Sequence, residues 1–362
     1  TSGKNAMIVT ALADRDQAIR DLVRSAFGHD GQKCSATSLA ICEAEVYDDA
    51  TFRRQLRDAA SSLAVGSAWD PASRITPLTQ PPGRALTRAL TTLDEDEEWL
   101  LEPRRLDGEA PLWSPGIKLG VRRGSFFHRT ECFGPVLGLM RATDLDDAII
   151  LANDQPFGLT SGLQSPADRE VARWLDRTEA ANLYVNRSTT AAIVGRQPFG
   201  GWKASSVGPG AKAGGPNYVL QLGHWRPHAR PSESAPLSPE VEARLARGLD
   251  ALADEESRAM LRASAASYAA AWRDHFGREH QPIPLLGERN IFRYRACRRM
   301  VVRAELATPA GRVALAQVLV AARTCGVPVE ISAAGGRLDS WAGSDDDPTG
   351  TIESEAELAA RL

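Results

Sequence analysis

The apolar positions change period twice within the first fifty residues. Asn5-Ala-Met-Ile-Val-Thr10 is a nearly unbroken apolar run and predicts a short buried strand. From 14 to 27, Ile19, Leu22, Val23, Ala26 and Phe27 recur at helical spacing, which predicts an amphipathic helix that Gly28 stops. Residues 39–47 are again apolar with β-branched members and predict a strand; Asp48-Asp49 can then cap a helix over 51–63, whose Phe52, Leu56, Ala59 and Leu63 share a face. Proline and glycine break the stretch 65–83 into a surface connection. Further on, 117–121, 125–128 and 136–140 read as β-rich runs between turns, followed by a capped helix at 144–153, a strand at 157–163, a helix at 168–178 and a strand at 182–186. Strands alternating with helices at this spacing imply an α/β fold with an open, mostly parallel sheet. The loop 187–216 leaves a strand end, and open α/β sheets hold ligands beyond the carboxyl ends of their strands.

Beyond this the composition shifts. Pro227, Pro231, Pro236 and Pro239 lie among serines and charges in 226–240, which reads as a linker between a first domain over 1–225 and a second, smaller one over 241–362. A helix is expected from 238 to 247, interrupted at Gly248 and resuming from 249 towards 275. Residues 300–306, 309–322 and 327–332 have the pattern of a βαβ unit, the half-module of a Rossmann-like α/β domain, and no GxGxxG follows its first strand. The Asp345-Asp346-Asp347 run reads as a solvated loop, and 353–362 as a helix.

Charge and cysteine usage narrow the class. The 46 acidic and 43 basic residues nearly balance, so no basic field points to nucleic acid. No apolar run reaches the length of a membrane helix and no signal-peptide pattern opens the chain, so a cytoplasmic protein without a membrane span is expected. Cys34, Cys42, Cys132, Cys297 and Cys325 form an odd set without a CxxC pair, which argues against a disulfide framework or a metal cluster.

One of these thiols has a setting suited to chemistry. Cys34 stands in the polar turn Gly31-Gln32-Lys33-Cys34-Ser35-Ala36, between an amphipathic and an apolar segment. A thiolate attacks carbonyl carbon where negative charge is stabilised, and Ser35-Ala36-Thr37-Ser38 is expected to open a second helix whose N–H groups face the sulfur. Those N–H groups, with that of Cys34, would hold the oxyanion formed by attack on an aldehyde. A buried structural cysteine is the other local reading.

The Gly31 to Cys34 turn resembles the nucleophile motif of the aldehyde dehydrogenase superfamily, and further matches follow in the family's order. Glu131-Cys-Phe133-Gly-Pro-Val136 is similar to its cofactor-ribose motif and Pro198-Phe199-Gly200-Gly201 to its late substrate-site motif. Gly208-Pro-Gly-Ala-Lys212-Ala-Gly214-Gly215-Pro216 resembles the ending typical of L-glutamate γ-semialdehyde (1-pyrroline-5-carboxylate) dehydrogenases, in particular those fused to proline dehydrogenase in proline utilisation A. The resemblance implies NAD as cofactor, with Cys34 as nucleophile, Glu131 on the ribose hydroxyls and Phe133 near the nicotinamide ribose. It also implies that Ser35 and the backbone N–H groups of Ala191 and Ala192 hold the amino acid head of the substrate, and that Phe199 packs on its aliphatic stem. The family usually carries glycine at the position of Ala191. On local chemistry alone, Glu131 reads equally as a solvated loop carboxylate, Phe133 as a core aromatic and Phe199 as loop packing.

The resemblance further implies a homo-oligomer, and FAD only in a proline dehydrogenase domain outside this sequence. Gly287-Glu-Arg-Asn290 through Val302 looks like part of the non-catalytic aldehyde-dehydrogenase-like domain found in longer proline utilisation A proteins. Gly3-Lys4 matches a motif whose general-base glutamate would fall immediately before Thr1, so residues 1–362 by themselves are expected to be inactive. The function expected for the longer protein is NAD-dependent oxidation of glutamate semialdehyde to glutamate. Its rivals are another semialdehyde dehydrogenase, such as one for succinate semialdehyde, and a non-catalytic scaffold or binding protein.

Overall fold

The computed structural model describes residues 2–106, 110–208, 210–224, 235–281, 283–342 and 348–362. The chain divides into two units, Thr1–Gly223 and His224–Leu362. In the first, β1 (Asn5–Val9), β2 (Thr37–Glu43), β3 (Glu98–Leu101), β4 (Gly116–Leu119), β5 (Val136–Ala142), β7 (Thr160–Gln164) and β8 (Asn182–Val185) form one sheet in the order β3-β4-β5-β2-β1-β7-β8. Every neighbouring pair is parallel except β3 with β4 at the edge. The two-residue strands β6 (Phe157–Gly158) and β9 (Trp202–Lys203) pair separately and antiparallel. Helices α1 (Arg15–Phe27), α2 (Ala44–Tyr47), α3 (Ala50–Ser61), α4 (Arg84–Thr91), α5 (Phe126–Arg129), α6 (Leu145–Asn153) and α7 (Asp168–Arg177) connect the strands.

Hydrophobic pattern and pairing explain these elements. Asp14 caps α1 by accepting from the Gln17 N–H, and Asp49 and Asp144 cap α3 and α6 in the same way. β1 and β2 lie in the middle of the sheet and bury both faces: Met7, Val9, Ala40 and Cys42 enter one core cluster, Ala6, Ile8, Leu39 and Ile41 the other.

Two local expectations are corrected here. No helix opens at Ser35; β2 begins at Thr37, because pairing with β1 and β5 overrides the capping tendency of Ser35-Ala36-Thr37-Ser38. Nor do 125–128 form a strand. Ser125 caps the one-turn helix α5, which seats Phe127 over Gly138 of β5, where a Cβ would stand 2.6 Å from its ring.

The second unit carries α8 (Pro239–Ala251), α9 (Glu255–Ala271), α10 (Pro309–Cys325) and α11 (Glu355–Arg361), with the short pair β10 (Glu279–His280) and β11 (Phe292–Arg293). Its sheet orders β12 (Met300–Ala304), β13 (Val329–Ala333) and β14 (Thr349–Ile352) side by side and parallel, and α10 makes the crossover of the expected βαβ unit. The break expected at Gly248 falls instead at 252–254, where Asp254 caps α9. Gly248 stays inside α8 because a Cβ there would lie 2.8 Å from Leu261 of α9. Pro227 and Pro231 of the expected linker and Asp345 to Asp347 lie outside the described residues, and the helix expected from 238 begins at Pro239 as α8, capped by Ser238.

Candidate active site

Segment 2–5, just ahead of and into β1, gathers the three motifs. The Asn5 amide donates from Nδ2 to the carbonyls of Cys34 and Ala36, both at 2.8 Å, while its Oδ1 accepts from the Thr160 N–H at 3.1 Å. A buried amide with donor and acceptor both satisfied locks the Cys34 turn to β1 and β7. Gly3 donates its N–H to Oε1 of Glu131 at 2.8 Å, and a Cβ on Gly3 would stand 2.9 Å from the Cys34 carbonyl. Ser2 accepts from the Ser205 hydroxyl at 2.5 Å, which brings in the chain that follows Phe199-Gly200-Gly201.

Cys34 is half-buried in a turn ahead of β2. The Ala36 N–H is spent on the Lys33 carbonyl at 2.9 Å. Those of Cys34 and Ser35 have no acceptor among the described residues, so they remain available to an oxyanion, without the helix terminus expected from sequence. Lys33 extends over the loop beyond β8 and donates to the Thr190 carbonyl at 3.1 Å. Ser35 is buried, and its carbonyl accepts from the Thr189 hydroxyl at 2.9 Å, which also meets the Thr37 hydroxyl at 2.9 Å.

Glu131 and Phe133 lie in the turn between α5 and β5. A small cleft is lined by Gly3, Lys33, Thr37, Glu131, Phe133 and Gly134. Phe133 is 42% exposed at φ 59°, so it is no core aromatic; a bulky residue held left-handed costs about 1–2 kcal/mol, and such strain collects at binding sites. Gly31, at φ 66°, packs directly on this turn, since a Cβ there would stand 2.2 Å from the Gly134 carbonyl oxygen. Nucleophile and ribose motifs therefore touch backbone to backbone. A half-exposed carboxylate beside a surface aromatic suits a ribose and its planar base.

In the loop beyond β8, Ala191 is half-buried, Ala192 exposed, and neither N–H is taken up by an acceptor among the described residues. Ala191 is absent from the residues of positive φ, so its backbone makes no demand for glycine. Phe199 is half-buried and pairs with Ala213 in both directions, at 3.0 and 2.9 Å, and Asn182 Nδ2 holds the Gly200 carbonyl at 2.8 Å. Lys212 donates to the Ala181 carbonyl and to Asn182 Oδ1, and its burial lowers its pKa to about 8. A second buried lysine, Lys4, is 3% exposed; burial lowers its pKa to about 8 against the opposing pull of Cys132 and Glu131.

The placement corrects one expectation. Gly3, Cys34 and Glu131 precede β1, β2 and β5, so the site occupies the amino edge of the parallel strands rather than the carboxyl edge. The loop beyond β8 folds back to this edge through Lys33, Ser35 and Thr37. Asn5 and Thr189 were not legible as site residues, although a polar Asn5 opens an otherwise apolar strand; Gly3 was marked only as part of the Gly3-Lys4 motif, with no sign that its N–H holds Glu131.

An aldehyde dehydrogenase family model matches residues 1–224. The 1-pyrroline-5-carboxylate dehydrogenase of Bacillus subtilis (strain 168) is 34% identical over 219 residues, 60% of this chain and 42% of that protein. Among solved structures, proline utilization A (PutA) from Corynebacterium freiburgense is 41% identical with a TM-score of 0.82, over 98% of this chain and 37% of that one. A 1-pyrroline-5-carboxylate dehydrogenase from Thermus with bound NAD is 34% identical with a TM-score of 0.56, over 61% of this chain and 42% of that one. The chain spans 42% of the length of the curated relatives it matches.

Proposed function

The chain belongs to the aldehyde dehydrogenase family, and from that premise we propose that it forms the thiol-bearing part of an NAD-dependent L-glutamate γ-semialdehyde dehydrogenase within a longer protein. The observation that carries this reading is the convergence of the Cys34 turn, Glu131 and the chain after Phe199 on segment 2–5. In this reading Cys34 sulfur attacks the aldehyde carbon, and the free N–H of Cys34 receives the oxyanion. Glu131 and Phe133 hold the ribose and nicotinamide end of NAD, which supplies the hydride acceptor when bound. Loss of the aldehyde hydrogen as hydride leaves a thioester on Cys34, and water releases it as the carboxylate.

Substrate choice follows from the far end of the molecule. Glutamate semialdehyde carries a carboxylate and an ammonium remote from the aldehyde, and they must be held to aim it at sulfur. The N–H groups of Ala191 and Ala192, unengaged by the described residues, suit a carboxylate, Ser35 is tied to the same loop through Thr189, and Phe199 suits the aliphatic stem. By analogy with the proline utilization A neighbours, we place the chain in a polypeptide that also carries a proline dehydrogenase domain, with FAD confined to that domain, and expect it to self-associate.

The test is steady-state NADH formation by the full-length protein, with 1-pyrroline-5-carboxylate and succinate semialdehyde as competing substrates. Clear preference for the first and a loss of about a thousandfold or more in Cys34→Ser are expected. Preference for succinate semialdehyde would reassign the substrate. An active Cys34→Ser protein would favour a non-catalytic role for this chain.

A further inference from the structure

The turn carrying Cys34 leaves α1 through three successive left-handed residues: His29 at φ 55°, Asp30 at φ 58° and Gly31 at φ 66°. Only the glycine adopts this conformation freely, so contacts outside the turn must hold the two residues before it. Asp30 is 8% exposed, and each carboxylate oxygen takes its own donor from one residue. Oδ1 accepts from the Thr76 N–H at 2.6 Å and Oδ2 from the Thr76 hydroxyl at 2.8 Å. Thr76 follows Ile75, which lies in the core, so the clamp ends on a fixed point. Gln32 repeats the arrangement two residues later: its Oε1 accepts from the Thr79 N–H at 2.9 Å, and its Nε2 donates to the Phe133 carbonyl at 3.3 Å. The turn is thereby pinned to 76–79 on one side and to the Phe133-Gly134 turn on the other.

We propose that Asp30 is a positioning residue for Cys34: gripping Thr76 with both oxygens, it sets the pitch of the left-handed turn and hence the angle at which sulfur meets the bound aldehyde. Gln32 keeps that pitch in register with Phe133. The proposal rests on the reading of Cys34 as nucleophile. Misaiming an attacking atom by about 1 Å costs as much as a hundredfold in rate, whereas the substrate's head group, held by another loop, keeps its affinity. Asparagine can replace both contacts, accepting the Thr76 N–H at Oδ1 and donating Nδ2 to the hydroxyl oxygen, and it tolerates the left-handed region. Glycine tolerates that region too but has no clamp. Comparing the two separates grip from backbone strain.

Asp30→Gly and Asp30→Asn are to be compared in the full-length protein, by steady-state oxidation of 1-pyrroline-5-carboxylate and by alkylation of Cys34 with iodoacetamide. Asp30→Gly is expected to lower kcat about tenfold or more with KM changed less than about threefold, and Asp30→Asn to recover kcat to within about threefold of the parent. Alkylation is expected to proceed at similar rates in all three, because a small, freely tumbling reagent needs no aim. Parent-like kcat in Asp30→Gly overturns the proposal, and so does equal loss in both variants or a change in KM alone. Should Asp30→Gly fail to fold, Thr76→Val removes one of the two donors; a kcat loss of about threefold or more supports the clamp, and a smaller one overturns it. An active Cys34→Ser protein would sink the nucleophile itself, a result independent of Asp30.

Discussion

Gly3 and Glu131, 128 residues apart in sequence, are joined by a 2.8 Å hydrogen bond from the Gly3 N–H to Oε1 of the carboxylate. The bond aims Glu131 along the amino edge of the sheet and occupies one of its oxygens. In the cofactor role proposed for Glu131, Glu131→Gln keeps an acceptor but removes the charge that would strengthen bonds from ribose hydroxyls. The expected result is about tenfold weaker dinucleotide binding, on the order of 1.4 kcal/mol, with Cys34 alkylation unchanged. Calorimetric titration with NAD measures it; unaltered affinity would remove Glu131 from the cofactor site.

Gly31→Ala meets two obstacles at once, a φ of 66° and a Cβ that would stand 2.2 Å from the Gly134 carbonyl oxygen. Neither obstacle is the far end of a flexible side chain, so backbone must move. Destabilisation of about 2–3 kcal/mol is expected, read from denaturant midpoints. A loss below about 0.5 kcal/mol would mean that the two turns slide apart easily, and the close approach of the motifs would lose its significance.

Lys4 sets a pH dependence. Its ammonium lies 3.8 Å from the centre of the Phe127 ring, has no hydrogen-bond acceptor among the described residues, and burial lowers its pKa from 10.5 to about 8. With the folded-state value below the unfolded one, the unfolded chain binds more protons across that interval. Stability therefore rises with pH between about 8 and 10.5, is fully gained above it and is lost as pH falls through the lower value. Lys4→Met is expected to stabilise the protein at neutral pH by up to the order of 3 kcal/mol, a gain that fades as the pH approaches the unfolded value. Urea titrations across this range check it, and a pH-independent gain would trace the effect to packing instead.

Lys118 and Glu97 form an ion pair at 2.7 Å with side chains 2% and 1% exposed, and Lys118 also donates to the Thr92 carbonyl at 2.6 Å. Removing one partner strands the other charge away from water. Glu97→Ala is expected to cost about 3–5 kcal/mol, and adding Lys118→Met to restore a large part of it. A double-mutant cycle with no coupling would show that the charges do not depend on each other.

Much of the fold could be read from local pattern. The helical spacing of Ile19, Leu22, Val23 and Phe27, the caps at Asp14, Asp49 and Asp144, and the apolar runs of β1, β5 and β7 each specify their element from within a few residues. Other elements escaped. The helix start expected at Ser35 is absent because the strand expected from 39 already begins at Thr37, paired with β1 and β5, while 125–128 reads as a strand and instead leads into α5. Three further elements, α4, β3 and β14, are not among those expected, although Leu86, Ala89 and Leu90 recur at helical spacing in α4.

The same division holds for the site. The sequence by itself determined which chemical groups are present and in what order: a thiol in a glycine-bearing turn, a carboxylate beside an aromatic, and a glycine-rich loop after the last strand of the sheet. Only the tertiary structure decided that these meet at the amino edge, that Asn5 and Gly3 are the pieces joining them, and that Asp30 grips Thr76 from 46 residues away. Periodicity reports how a segment divides itself between core and water, a local matter. Which backbone donor finds which distant acceptor is settled when the strands pair side by side, and no short stretch of chain contains that information.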